Sequence, residues 1–124
     1  MAASTPASGP RPVDGYGNGG FRIGGEAVGG SILIAGDGTV SAWSADPSAL
    51  TVDDFAAVLA LSPPPEILLV GCGARAAFVP PPVRQRLREA GIVVDAMNTG
   101  AACRTFNVLI AEGRHVAAAL IAVT

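Results

Sequence analysis

The sequence predicts a mixed α/β domain, with an antiparallel β meander first and an α/β unit after it. Three observations carry this. Eleven of the sixteen glycines lie in residues 1–38, where they punctuate short apolar runs. A strand–helix–strand pattern follows, with one proline triplet before it and another inside it. A helical apolar period over residues 98–112 then leads into an alanine-rich strand.

Residues 1–12 (MAASTPASGPRP) hold three prolines and no apolar period. They are expected to be a disordered tail, with residues 13–124 forming a single globular domain. From Val13 to Ala42 the strand-like runs are Phe21 to Ile23, Ser31 to Ala35 and Thr39 to Trp43. Gly24-Gly25, Gly29-Gly30 and Gly36-Asp37-Gly38 supply turns, and Asp37-Gly38 between Ile34 and Val40 signals a hairpin. Thr51-x-x-Asp54 resembles a capping box, with Asp in the place of Glu. Leu50 and Phe55 stand at staple spacing; Phe55, Val58 and Leu59 form one apolar face, and Pro63-Pro64-Pro65 ends the helix.

Glu66 to Val70 reads as a strand buried on both faces, followed by a Gly71-Cys72-Gly73 turn. A helix from Pro82 to Ala90 turns Val83, Leu87 and Ala90 inward, with Gly91 as its terminating residue. Ile92-Val93-Val94 reads as the next buried strand, which makes a right-handed parallel crossover if both strands share a sheet. Asn98 or Thr99 caps a helix running to Glu112, with Ala102, Phe106, Leu109 and Ile110 on one face and Cys103 beside it. Val116 to Val123 returns as a strand, for which an edge position open to a second copy is one option.

Composition narrows the function. At 124 residues the chain fits one domain. Eight positive residues against ten negative give a net charge of −2, without the basic surplus that nucleic-acid binding needs. No apolar run reaches the ~18 residues of a membrane helix. Two cysteines and one histidine make neither a disulfide framework nor a usual zinc pattern, so no cofactor and no metal are expected. The N-terminus lacks the charged start and apolar stretch of a secretory signal; a cytoplasmic location with reduced thiols is expected. All eight cationic residues are Arg, a usage read as codon bias in a GC-rich, bacterial genome.

Several motifs bear on chemistry. Gly15-Tyr16-Gly17-Asn18-Gly19-Gly20 has the form G-x-G-x-x-G but lacks a preceding strand and a following helix, so it reads as a turn. Gly71-Cys72-Gly73-Ala74-Arg75-Ala76 fits G-x-G-x-x-A after a buried strand, with Asp95 near the ribose-binding offset. Pro80 to Pro82 delay its helix, however, and it reads as a tight strand-to-loop turn. Cys72 at a strand end and Cys103 near a helix start would need His115 as a base, which spacing does not establish. Both thiols read as buried and inert. Asp53 and Asp54 are accounted for by a helix N-terminus. No catalytic residue is assigned, and enzymatic activity is left open.

Charge is unevenly placed. Residues 1–70 carry two Arg and seven acids, whereas residues 71–124 carry six Arg and three acids. Arg84 and Arg88 share a helix face, and Arg75 and Arg104 lie on segments that could converge near it. Such a patch suits an anionic ligand or an acidic partner surface; solvated surface arginines are the plainer reading. Arg104 and Asn107 lie on one helix face, either fixing the loop before the helix or presenting a binding surface.

Taken in order, Ile67-Leu68-Leu69-Val70-Gly71-Cys72-Gly73, Pro82, Gly91 to Asp95, Met97-Asn98-Thr99 through Ala102, Arg104 to Asn107 and Glu112 to Leu120 resemble the domain of unknown function 498 family. Tyr16-Gly17 and Gly19 to Gly25 resemble its first strands, so the resemblance covers Val13 to Val123. Its members include a mitochondrial NADH:ubiquinone oxidoreductase (complex I) assembly factor and an adipogenesis-associated, Mth938-like human relative. The resemblance implies three layers, β + α/β/α, with a central mixed sheet, and no established activity or cofactor. It departs at Cys72, where the family resemblance leads one to expect Thr.

Two readings of function result. The first is a non-catalytic interaction protein, an assembly factor or adaptor for a membrane respiratory complex. The second is a small-molecule or anion-binding domain, or a weak enzyme, with a crevice at Gly71–Arg75 and Asn98–Arg104. The candidate ligand or partner surface is Gly71, Cys72, Gly73, Arg75, Arg84, Arg88, Asn98, Thr99, Arg104 and Asn107. Protein partners are expected, including a membrane-complex subunit or another assembly protein, with no nucleic acid and no direct membrane insertion.

Overall fold

The computed structural model describes residues 9–75 and 78–124. Strands β1 (Val13–Gly17), β2 (Gly20–Ile23) and β3 (Glu26–Gly29) form an antiparallel sheet in that order. Its first turn is Asn18-Gly19, both with positive φ (53° and 78°), the mirror-image turn whose twist suits a two-residue hairpin.

The next two strands leave the meander. Strands β4 (Ile32–Ala35) and β5 (Val40–Ala42) form the hairpin expected at Asp37-Gly38, but they join a second sheet. That sheet also holds β6 (Ile67–Gly71), β7 (Val93–Met97) and β8 (Val116–Leu120), in the order β5-β4-β8-β6-β7. β6 runs parallel to β7 and β8, and β4 runs antiparallel to β8. The split has a physical reason. Ile32, Leu33, Ile34 and Ala35 are all buried, so β4 needs cover on both faces, which a meander packed on one face does not provide.

The helices occur where expected. Asp54 accepts hydrogen bonds from Thr51 N–H at 2.8 Å and from its hydroxyl at 3.2 Å. The helix it starts is short: a 3₁₀ turn over Val52–Phe55, then α1 over Ala56–Leu59. Trp43 anchors it, donating from Nε1 to Asp54 C=O at 2.6 Å with its ring 5.7 Å from that of Phe55. Helix α2 (Pro81–Glu89) buries Val83 and Leu87, and Gly91 follows it at φ 83°. Helix α3 (Thr99–Ala111) is capped by Asn98, whose Oδ1 accepts from Ala101 N–H at 2.8 Å.

Alternation along the central strands sorts the core into two layers of contact. Leu33, Leu68, Val70, Ala117 and Ala119 pack with Phe55, Val58, Val83 and Leu87. Ile32, Ile34, Leu69, Val116, Ala118 and Leu120 pack with Ala102, Cys103 and Phe106 of α3 and with Phe21 and Ile23 of the three-stranded sheet. The result is the three-layer arrangement with an added β layer.

One option is closed and one expectation is corrected. β8 is not an edge strand; it lies between β4 and β6 with all five residues buried. The edges are β5 and β7, and β7 is not buried on both faces: Val93 is 65% exposed. In the run Ile92-Val93-Val94 only Ile92, just before the strand, is fully buried, because α3 lies mainly over β6 and β8. Of the expected tail, residues 1–8 lie outside the described residues. Residues 9–12 are bonded: Gly9 N–H donates to Asp37 C=O at 3.0 Å, Arg11 Nη2 to Gly38 C=O at 2.8 Å, and Pro12 C=O accepts from Gly24 N–H at 3.1 Å.

Candidate functional site

The turn after β6 and the entry to α3 meet at the carboxyl end of the parallel strands. Gly73 has φ 94°, a conformation that favours glycine. Its N–H donates to Thr99 Oγ1 at 3.0 Å, and its C=O accepts from Thr99 N–H at 2.8 Å. Thr99 Oγ1 in turn donates to Ile121 C=O at 2.7 Å, and Ile121 N–H to Gly71 C=O at 2.8 Å. Cys72 N–H donates to Met97 C=O at 2.8 Å. A β-carbon on Gly71 would stand 2.9 Å from Leu120 Cδ2 and 3.0 Å from Thr99 Cα, so glycine is what lets the two segments approach. The sequence-predicted segments are thus brought together, but by direct bonds. Gly73 has no backbone group left over for a phosphate, and α2 starts only at Pro81, as the turn reading requires. Ala76, the last residue of that motif, lies outside the described residues.

Arg104 and Asn107 take different parts. A β-carbon on Gly100 would collide with Tyr16 Oη and lie 3.4 Å from Arg104 Nη1. Tyr16 therefore rests on the first turn of α3 beside the Arg104 guanidinium. Sequence reasoning missed Tyr16; the one signal was a glycine just inside a helix. Asn107 Oδ1 accepts from Val13 N–H at 2.8 Å and its Nδ2 donates to Val13 C=O at 2.9 Å, which pins β1 to α3.

The thiols and the histidine do not form a unit. Cys72 is buried on the α2 side of the sheet and Cys103 on the α3 side. Cys72 Sγ donates to Val70 C=O at 3.6 Å. Burial pushes the Cys103 thiol up to about 11, against the opposing pull of the Arg104 charge. His115 precedes β8, at the far end of parallel strands from both cysteines. It lines a hollow of about 130 Å³ with Asp37, Leu61 and Pro63. Asp37 is held below the ordinary carboxylate range by hydrogen bonds from Thr39, its backbone N–H foremost, with the His115 charge a lesser cause. Among the described residues no group of three or more His, Cys, Asp or Glu is placed to hold a metal.

The arginines do not form one patch. α2 and α3 lie on opposite faces of the central sheet, so Arg104 does not converge with Arg84 and Arg88. Arg75 is exposed on the loop after Gly73. Arg84 Nη1 donates to Val94 C=O at 3.2 Å. Phe78, Pro81, Arg84, Gln85, Arg88 and Glu89 line an open concavity of about 500 Å³, two arginines against one carboxylate, and Phe78 is 74% exposed. The concavities lined by Gly15–Gly29, by Phe78–Glu89 and by the segments around His115 include neither Gly71–Gly73 nor residues 98–104. No helix among the described residues is long and apolar enough to cross a membrane.

Comparison with known proteins follows the same outline. The family model for "Protein of unknown function (DUF498/DUF598)" matches residues 13–121. An uncharacterised protein of Rhodobacter capsulatus is 38% identical over 122 residues, 98% of this chain and 93% of that protein. The human NADH dehydrogenase [ubiquinone] 1 alpha subcomplex assembly factor 3 is 37% identical over 109 residues; the match takes in 88% of this chain and 59% of that protein's length. Among solved structures, one described as an outer membrane protein from Bartonella henselae superposes with a TM-score of 0.85 at 42% identity, covering 96% of this chain and 100% of that one.

Proposed function

Because the chain belongs to the DUF498/DUF598 family, with curated relatives that are complex I assembly factors, we propose that it is a non-catalytic interaction protein, an assembly factor or adaptor for a membrane respiratory complex. The observation that carries this reading is the match to the human assembly factor across nearly all of the described fold. The surface is compatible with it. An exposed Phe78 stands beside Arg84 and Arg88 in an open concavity, the mix of apolar anchor and charge that protein partners use. Its place in this reading is the cytoplasmic side of the membrane.

A tagged copy captured from its own host in mild detergent tests the proposal. The expected result is a subunit or assembly protein of a membrane complex, lost when Arg84 and Arg88 are both reversed to Glu in a folded protein. Repeated capture of no specific protein would overturn it.

The alternative is an anion-binding or small-molecule domain centred on Gly71–Arg75 and Asn98–Arg104. One observation favours it: the Tyr16 hydroxyl and the Arg104 guanidinium flank the first turn of α3. Against it, Thr99 already occupies both backbone groups of Gly73. Mass spectrometry of the natively purified chain for a bound metabolite separates the two.

A further inference from the structure

Parallel pairing fixes which backbone groups β7 uses. Val93 N–H donates to Glu66 C=O at 2.9 Å, and Met97 C=O accepts from Cys72 N–H at 2.8 Å. Residues 93, 95 and 97 therefore bond toward β6, while Val94 and Ala96 turn their N–H and C=O outward along an open edge of the sheet. Arg84 covers one of these groups, the Val94 carbonyl, at 3.2 Å. Among the described residues, nothing bonds to Val94 N–H or to either backbone group of Ala96. Arg84 also lines the concavity that holds Phe78 and Arg88, so this edge and that concavity adjoin.

We propose that they form one docking surface for an extended acidic segment of a partner protein, which adds to β7 as a further strand. The proposal rests on the interaction reading above and names its surface and the partner's chemistry. Backbone bonds to Val94 and Ala96 set the register. Val94 and Ala96 pack on the α2 side, and Met97 on the α3 side. Side chains of the added strand that point toward α2 reach Arg84 and Arg88, so carboxylates belong there, with an apolar residue over Phe78. Those pointing the other way meet exposed Val93 and Asp95, so acids are disfavoured there. The segment is acidic on one face and apolar or neutral on the other.

Charge also argues against a second copy as the occupant. Edge-to-edge pairing would set two α2 helices side by side, each with Arg84, Arg86 and Arg88 against Glu89. In the lone chain Arg84 guards the edge, as charged side chains commonly do. A carboxylate draws it off the Val94 carbonyl.

The test is nitrogen-15 amide spectroscopy of the whole chain, titrated with a short capped peptide in which Glu alternates with Val around one Phe. A matched peptide with Lys for Glu is the control. The Val94 and Ala96 amides are expected to shift and to exchange more slowly with the Glu peptide and not with the Lys peptide. Reversing Arg84 and Arg88 to Glu should weaken binding about tenfold. Arg88→Glu alone leaves the Arg84–Val94 bond intact should the double variant misfold. Ala96→Pro removes an outward donor that β6 does not use and should also weaken binding. Silence of these amides at millimolar peptide, equal binding of the Lys peptide, shifts confined to the β3 edge, or self-association through Val94 and Ala96 without peptide would each overturn the proposal. A host partner still captured by folded Ala96→Pro and Arg88→Glu variants would overturn this surface and leave the interaction reading standing. Peptide seated on β7 with no host partner captured would do the reverse.

Discussion

The hydroxyl of Thr99 accepts from Gly73 N–H and donates to Ile121 C=O, and the residue is fully buried. Three separate segments of chain thus depend on one oxygen. Thr99→Val keeps the shape but leaves the buried Gly73 N–H and the part-buried Ile121 C=O without that partner. It is expected to cost about 1–3 kcal/mol, since an unmade buried hydrogen bond costs the desolvation of the group left behind and the part-buried carbonyl keeps some access to water. Thr99→Ser keeps the oxygen and loses one methyl, at about 1 kcal/mol. Urea denaturation of the two variants checks the difference; equal losses would mean that packing, and not the hydroxyl, holds the junction. The sequence places Thr99 at a helix entry and no more, because its partners lie 22 and 26 residues away.

Strand β1 illustrates the next scale. It has a hydrogen-bonded neighbour on one side only, β2. On its other side the Asn107 amide supplies one donor and one acceptor to Val13, a side-chain substitute for a strand partner. Asn107→Ala is expected to destabilise the chain by about 1–3 kcal/mol, because both groups of Val13 lose their partner. Hydrogen exchange should show the loss first in β1, with β6 and β8 still protected. Uniformly faster exchange across both sheets would refute a local role. The polar entry to α3 is therefore explained in part by docking of the added β layer. Its two options from sequence, a fixed loop or a presented surface, divide by residue: Asn107 fixes β1, and Arg104 stays exposed beside Tyr16.

At the scale of the whole molecule, the buried Cys103 gives stability a dependence on pH. Its thiol is raised from 9.0 to about 11 in the folded state, chiefly by burial. Below about 9 the thiol is protonated whether the chain is folded or not, and it contributes no slope. Between about 9 and about 11 the unfolded thiol gives up its proton while the folded one retains it, so stability falls as pH rises through that window. Denaturation midpoints measured across it should decline more steeply for the parent than for Cys103→Ala. Identical slopes would show that the thiol ionises as readily inside as out.

Much of this architecture is legible in the residues. Glycine pairs and Asp37-Gly38 mark turns, proline triplets end segments, and Thr51 to Asp54, Asn98 and Gly91 mark helix ends, because these signals act within a few residues of chain. The apolar runs name the core for the same reason: a strand or helix shows its buried face in its own period. What only the tertiary structure decided is which elements are neighbours. Local pattern does not say that β4 leaves the meander, that alanine-rich β8 takes the centre of the sheet, or that β7 forms an edge with Val93 exposed. Nor does it say that Thr99 closes over Gly73, or that Arg104 and Arg84 end on opposite faces. Each of these is a pairing between distant segments, chosen by how two buried faces are covered at once, and that choice belongs to the assembled core and not to any single stretch of sequence.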